Sequence, residues 1–72
     1  MELPRISGAE AVAALERAGF AFRSPRGSHR KIRHSDGRTA IVPMHRELAP
    51  GTLRSILKQA GLRVPELGDL LH

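Results

Sequence analysis

The absence of cysteine is the feature that most limits what this chain of 72 residues can fold into. A domain this short buries only about 60 % of the surface that its unfolded chain exposes, so its core is thin. Without cysteine, neither a disulfide framework nor a thiolate metal site can reinforce that core. Only 3 % of the residues are aromatic, so aliphatic side chains must fill the interior. The sequence therefore predicts one simple domain that spans residues 1–72.

Hydropathy and the first residues indicate where such a chain resides. No apolar run approaches the roughly 20 residues that a transmembrane helix requires. The segment Met1–Arg5 also lacks the apolar stretch of a secretory signal peptide. The lack of cysteine is compatible with a reducing compartment. We therefore expect a cytoplasmic protein that has no membrane partner.

The first predicted element is a helix that follows a capping box. Ser7 and Glu10 have the spacing at which each side chain satisfies a backbone N–H group of the first turn. Apolar residues then recur at helical spacing as far as Ala18. Gly19 is suited to the left-handed conformation that commonly ends a helix. The pattern predicts a helix from Ser7 through Ala18.

Three strands are predicted after this helix. The segments Phe20–Ser24, Ser28–His34 and Arg38–Pro43 have the length and alternation of strands. Pro25-Arg26-Gly27 should break the first strand and turn the chain. Ser35-Asp36-Gly37 is a three-residue loop that ends in glycine, which is a common hairpin connection. The sequence therefore predicts a three-stranded antiparallel sheet.

The hairpin loop sets the register of the last two strands. If His34 faces Arg38, then Ile32 pairs with Ala40, and residues two apart share a face. One face is then apolar, with Ile32, Ala40 and Val42, and Phe20 and Phe22 of the first strand should also face inward. The opposite face is expected to carry His29, Lys31, Arg33, Thr39 and Ile41.

A second helix should begin at Pro50, which suits the first helical position. Apolar residues recur at helical spacing up to Ala60, and Gly61 provides the stop. The tail Val64–His72 is expected to add a short helical turn. The predicted class is α+β, in the order α-β-β-β-α, with both helices on one face of the sheet. This is the layout of double-stranded-RNA-binding domains.

Charge is concentrated on the predicted strands. The net charge is +5, and the sixteen residues 23–38 contain six basic residues and one acid, Asp36. The six are Arg23, Arg26, Arg30, Lys31, Arg33 and Arg38. Such a stripe attracts polyphosphate, although an acidic protein would also fit it. The charge alone therefore favours a nucleic-acid partner without excluding a solvated basic face.

His29 is the residue whose setting is best suited to chemistry. The acids are scattered and the four histidines lack zinc-ligand spacing, so we predict no metal site and no cofactor. His29 begins a strand on the open face, after Gly27-Ser28 and among basic residues. Metal-free cleavage of RNA needs a group that moves a proton and cations that offset charge on the phosphate. A plain solvated histidine is the competing interpretation.

A series of segments, in order, resembles the HicA (YcfA-like) toxin family. The segments are Ile6-Ser7-Gly8, Leu15–Phe20, Arg26–His29, Arg33-His34, Asp36–Arg38, Val42–His45 and Gly51–Gly61. They cover nearly the whole chain, from about Leu3 to Leu71. The triplet Gly27-Ser28-His29 is weak alone, and Gly51–Gly61 makes the resemblance specific.

The resemblance implies a function and a set of site residues. It implies metal-independent cleavage of mRNA, with the catalytic histidine at His29. The expected RNA contacts are Arg26, Gly27, Ser28, Lys31 and Arg33. The implied partner is a HicB-type antitoxin that covers the active site and that often binds DNA through a second domain. DNA would then be an indirect partner only.

Two other functions remain open from the sequence. A non-catalytic RNA-binding module with the same fold needs no histidine, because duplex RNA is recognised largely by shape. The chain can also serve mainly as one half of an obligate protein complex, since free strand edges invite docking.

Overall fold

The computed structural model describes residues 3–71, apart from the side chains of Pro25 and Arg26. In this range the elements are α1 (Gly8–Arg17), β1 (Phe20–Arg26), β2 (His29–His34), β3 (Thr39–Pro43), α2 (Pro50–Ala60) and α3 (Val64–Leu70). The strands form one antiparallel sheet in the order β1-β2-β3. The predicted α+β class and the α-β-β-β-α order are confirmed. No helix in the described range has the length and hydropathy to cross a membrane.

The capping box at the start of α1 is present as predicted. The Ser7 hydroxyl accepts from the Glu10 N–H at 3.0 Å, and the Glu10 carboxylate accepts from the Ser7 N–H at 2.9 Å. The helix ends at Arg17, one residue before the predicted end, with Ala18 as its cap. Gly19 then adopts a φ of 99°, a conformation in which a β-carbon is strained.

The first turn of α1 lies directly against the end of β3. The Gly8 N–H donates to the His45 carbonyl at 2.9 Å. A β-carbon at position 8 would collide with the Pro43 carbonyl oxygen, so this approach requires glycine. The contact holds the segment after β3 against the first turn of α1.

The predicted end of β1 at Ser24 is wrong, because the strand continues through Pro25 to Arg26. Pro25 pairs with Arg30. Hydrogen bonds alternate between the two neighbours of a central antiparallel strand, and the backbone groups of Arg30 bond to β3 and not to β1. The missing N–H of Pro25 therefore falls on the outer edge of the sheet, where proline is tolerated. Only Gly27 and Ser28 remain for the turn, and Gly27 adopts a φ of 60°.

The register of β2 and β3 is confirmed. Ile32 pairs with Ala40 and Arg30 pairs with Val42. The His34 N–H donates to the Arg38 carbonyl at 2.8 Å, which closes the hairpin. The loop 35–37 between them is as predicted, although β3 begins at Thr39 rather than Arg38.

Both long helices bury their apolar sides against one face of the sheet. The core residues are Ile6, Ala11, Val12, Ala14, Leu15, Phe20, Ile32, Ala40, Val42, Leu48, Leu53, Ile56, Leu57, Ala60 and Leu67. Phe22 shares the face of Phe20, as predicted, but it does not join the core, since 45 % of its surface is exposed. Its ring packs instead against the Arg30 guanidinium, 5.4 Å from the ring centroid, and β1 has a bulge between Phe22 and Ser24.

The C-terminal part packs against α1 and adds Leu67 to the core. The second helix begins at Pro50 and is capped by Gly61, which has a φ of 69°, as predicted. The predicted helical turn of the tail is a seven-residue helix, α3, with Leu67 buried. An Arg17 guanidinium nitrogen donates to the Leu70 carbonyl at 2.8 Å and joins α1 to α3.

Candidate active site

His29 is the first residue of β2 and lies on the face of the sheet that the helices leave uncovered. We call this surface, formed by the side chains of His29, Lys31, Arg33, Thr39 and Ile41, the open face. Its cross-strand neighbours in the register are Arg26 and Pro43. The imidazole is partly exposed, so a ligand on the open face can reach it.

The backbone around His29 is held by bonds to the segment after β3. The Met44 N–H donates to the Ser28 carbonyl at 2.8 Å, which extends the β2–β3 ladder past Pro43. The next residue, His45, accepts from the first turn of α1 through its carbonyl. The turn before His29 is therefore anchored to α1 through two consecutive bonds.

Ser28 contacts the imidazole of its neighbour directly. The Ser28 hydroxyl oxygen lies 3.3 Å from Nδ1 of His29. Serine can donate to an imidazole nitrogen or accept from one, so the contact is available to more than one protonation state. No pattern in the sequence indicated it, because it depends on the rotamers of both side chains.

Lys31 and Arg33 lie on the open face with His29, because alternate residues of a strand share a face. Arg33 is exposed and Lys31 is partly exposed. Arg33 also lines a shallow depression of about 430 Å³ together with Gly19, Ala21, Arg23, His34 and Ser35. Two cations of the basic run are thus placed where a polyanion on the open face would meet them.

Two other arginines of the run are engaged in the fold. The Arg38 guanidinium donates to the Ala60 carbonyl at 2.6 Å and to the Asp36 carboxylate at 2.8 Å, and it lies over the Phe20 ring. Arg30 lies over Phe22 on the side of the sheet that faces the helices. The basic run is therefore divided. Lys31 and Arg33 lie on the open face with His29, whereas Arg30 and Arg38 pack on aromatic rings.

Asp36 is held in its charged form by the same arginine. The Arg38 backbone N–H donates to its carboxylate, and this bond lowers the pKa of Asp36 below the usual 3.8. The guanidinium of Arg38 adds a hydrogen bond and a favourable charge. The one acid within the basic run is thus a hydrogen-bond partner of Arg38.

The other histidines have different surroundings. His34 is half-buried, with its ring edge-on to Phe20 at 5.3 Å, and its Nδ1 accepts from the Asp36 N–H at 3.1 Å. His45 is exposed after β3. His72 lies outside the described residues. Within residues 3–71, no group of three or more histidine, aspartate or glutamate side chains is placed to hold a metal ion.

The predicted site residues are brought together in part. Gly27, Ser28 and His29 are consecutive at the turn, and space is open around Gly27. Lys31 and Arg33 follow along the same face. The side chain of Arg26 lies outside the described part of the structure. The roles of all six residues in binding and catalysis stay predictions.

A comparison with known families identifies the chain. The family described as the HicA toxin of bacterial toxin-antitoxin systems matches residues 8–62, from the first residue of α1 to just beyond α2. No curated protein matches the chain. The matched range includes the whole sheet and the Gly27-Ser28-His29 turn. Toxins of this kind act with a cognate antitoxin, and the chain belongs to the HicA toxin family.

Proposed function

We propose that this chain is a metal-independent endoribonuclease that cleaves mRNA, with His29 as its general acid or base. The observation that carries the proposal is the position of His29, partly exposed on the open face with Lys31 and Arg33 on the same side. Membership in the HicA toxin family supports the same activity. No cofactor is required in this mechanism.

The chemistry is a transesterification within the RNA. The 2′-oxygen attacks the adjacent phosphorus, the bond from phosphorus to the 5′-oxygen breaks, and a 2′,3′-cyclic phosphate and a 5′-hydroxyl result. The 2′-hydroxyl loses a proton and the 5′-oxygen gains one. His29 carries out one of these transfers, because imidazole exchanges protons near neutral pH. Water carries out the other.

The cations have a separate role. Negative charge builds up on the non-bridging phosphate oxygens during attack, and fixed cations stabilise it. Lys31 and Arg33 are the described cations of the open face, and Arg26 is the third that we propose to contact the backbone. Gly27 leaves room for the RNA to approach, and Ser28 offers a hydroxyl.

The antitoxin partner is proposed to be of the HicB type and to cover the open face. An exposed Ile41 and two cations on that face suit a partner that is apolar in the middle and acidic around it. Because such a partner would exclude RNA from His29, binding and inhibition would be one event. Any contact with DNA would come through the antitoxin.

The test is the chemistry of the product ends. Purified protein is incubated with a long unstructured RNA in EDTA, and the new termini are identified. We expect 2′,3′-cyclic phosphates and 5′-hydroxyls. Termini with 5′-phosphates would contradict the proposed mechanism. Binding without cleavage would instead support a non-catalytic RNA-binding module, which the α-β-β-β-α fold also suits.

A further inference from the structure

The contact between Ser28 and His29 distinguishes the two nitrogens of the imidazole. The Ser28 hydroxyl oxygen lies 3.3 Å from Nδ1, whereas Nε2 has no hydrogen-bond partner among the described residues. The serine carbonyl is held by the Met44 N–H at 2.8 Å, so the residue that carries the hydroxyl is itself fixed in the ladder. Nδ1 is thus hydrogen-bonded to Ser28, and Nε2 is left available for a ligand.

We infer that His29 reacts through Nε2 and that Ser28 is a positioning residue that keeps the proton on Nδ1. This inference rests on the proposed function. A serine hydroxyl has one proton and can also accept hydrogen bonds. When it donates its proton to a phosphate oxygen, it accepts from Nδ1–H. Neutral His29 then has a free lone pair on Nε2, directed toward the substrate.

The proton balance follows from this arrangement. As a base, Nε2 takes the proton of the 2′-hydroxyl while Nδ1 keeps its own, and the imidazolium that forms is still bonded to Ser28 through Nδ1–H. As an acid, the imidazolium gives the Nε2 proton to the departing 5′-oxygen. Nδ1 again keeps its own proton, which remains hydrogen-bonded to the serine hydroxyl. In both directions water supplies or removes the other proton.

The bond also restricts the ring. An imidazole at the end of a strand can rotate about its side-chain bonds, and misorientation of a catalytic group lowers the rate without affecting substrate binding equally. A tether from the preceding residue reduces this freedom at little entropic cost, because the two residues are adjacent in the chain. We therefore expect the serine to influence kcat more than KM.

The first readout is spectroscopic and does not require cleavage. The protein is labelled with 15N on histidine and bound to an RNA with 2′-O-methyl groups throughout, which cannot be cleaved by this route. Under conditions in which the imidazole is neutral, its 15N shifts report which nitrogen carries the proton. Wild type is expected to be protonated on Nδ1, and Ser28→Ala is expected to give a mixture of both tautomers.

Either of two spectra would overturn the inference. One is a wild-type His29 that is protonated on Nε2 in the complex. The other is the same ratio of tautomers in wild type and Ser28→Ala. Neither spectrum depends on catalytic turnover, so this result is distinct from a failure of the proposed ribonuclease activity.

Cleavage kinetics provide the second readout. Ser28→Ala should lower kcat roughly three- to tenfold, the range that one ordinary neutral hydrogen bond supports, and should raise KM by a smaller factor because one phosphate contact is lost as well. Ser28→Thr keeps the hydroxyl and should restore most of kcat. A rise in KM with kcat and tautomer unchanged would mean that Ser28 only binds phosphate, and would overturn the positioning role.

Discussion

The guanidinium of Arg38 donates to the carbonyl oxygen of Ala60 at 2.6 Å, which ties the loop before β3 to the last residue of α2. The carbonyl groups at a helix end lack partners within the helix, and a cation beside them also interacts favourably with the helix dipole. Arg38 is therefore part of the structure, although in the sequence it belongs to the same basic run as Arg33.

Loss of Arg38 should destabilise the fold. Arg38→Met removes the bonds to Ala60 and Asp36 at similar side-chain length, and we expect a loss of about 1–2 kcal/mol in the free energy of unfolding. Arg33→Met is the matched control, because Arg33 is exposed and should change this free energy by less than about 0.5 kcal/mol. Urea unfolding of both variants makes the comparison, and equal losses would contradict it.

Gly8 should be intolerant of a side chain. In Gly8→Ala the β-carbon meets the Pro43 carbonyl oxygen, so α1 or the end of β3 must move, at a cost of about 1–3 kcal/mol. Gly68→Ala is the matched control in α3, where the added β-carbon meets open space and should stabilise the helix by up to about 1 kcal/mol. Thermal unfolding by circular dichroism would show the two shifts with opposite signs.

Asp36 should contribute to stability only when it is charged. Hydrogen bonding from Arg38, first through the backbone N–H, lowers the pKa of this carboxyl below 3.8 in the folded chain. A lowered folded pKa stabilises the protein above the unfolded pKa, and this contribution is lost as the pH falls through the folded pKa. The difference in unfolding free energy between wild type and Asp36→Asn should therefore shrink below pH 3.8. A difference that is constant across that range would contradict the assignment.

Arg33 should contribute to RNA binding through charge. Arg33→Glu should weaken the binding of single-stranded RNA, and the slope of log K against log salt concentration should fall in magnitude by about 1. Arg54→Glu makes the same change in net charge on the exposed side of α2, away from the open face. Fluorescence titrations at several salt concentrations compare the two, and equal effects would show that only net charge matters.

Local signals in the sequence predicted most of the framework. The capping box at Ser7 and Glu10 involves groups three residues apart, so no distant part of the chain decides it. The three-residue hairpin loop likewise set the pairing of Ile32 with Ala40. Together these predicted the open face and the place of His29 on it.

The errors concern features that depend on distant partners. Pro25 continues β1 because its missing N–H falls on the free edge, and a sequence does not show which edge that is. Phe22 alternates correctly with Phe20, but its ring lies beyond the core cluster and packs on Arg30. Which arginines of the basic run remain available also depends on where α2 ends, since the carbonyl of its last residue, Ala60, accepts a hydrogen bond from Arg38.

The most direct test of the account is RNA cleavage by wild type, His29→Ala and His45→Ala in EDTA, with folding checked by circular dichroism. His45 is also exposed and lies in the loop after β3. Its replacement therefore controls for the loss of a surface imidazole near the same turn. We predict cleavage by wild type and His45→Ala and none by His29→Ala. Equal cleavage by all three proteins, or binding of RNA with no cleavage by any of them, would contradict the assignment of His29 as the catalytic residue.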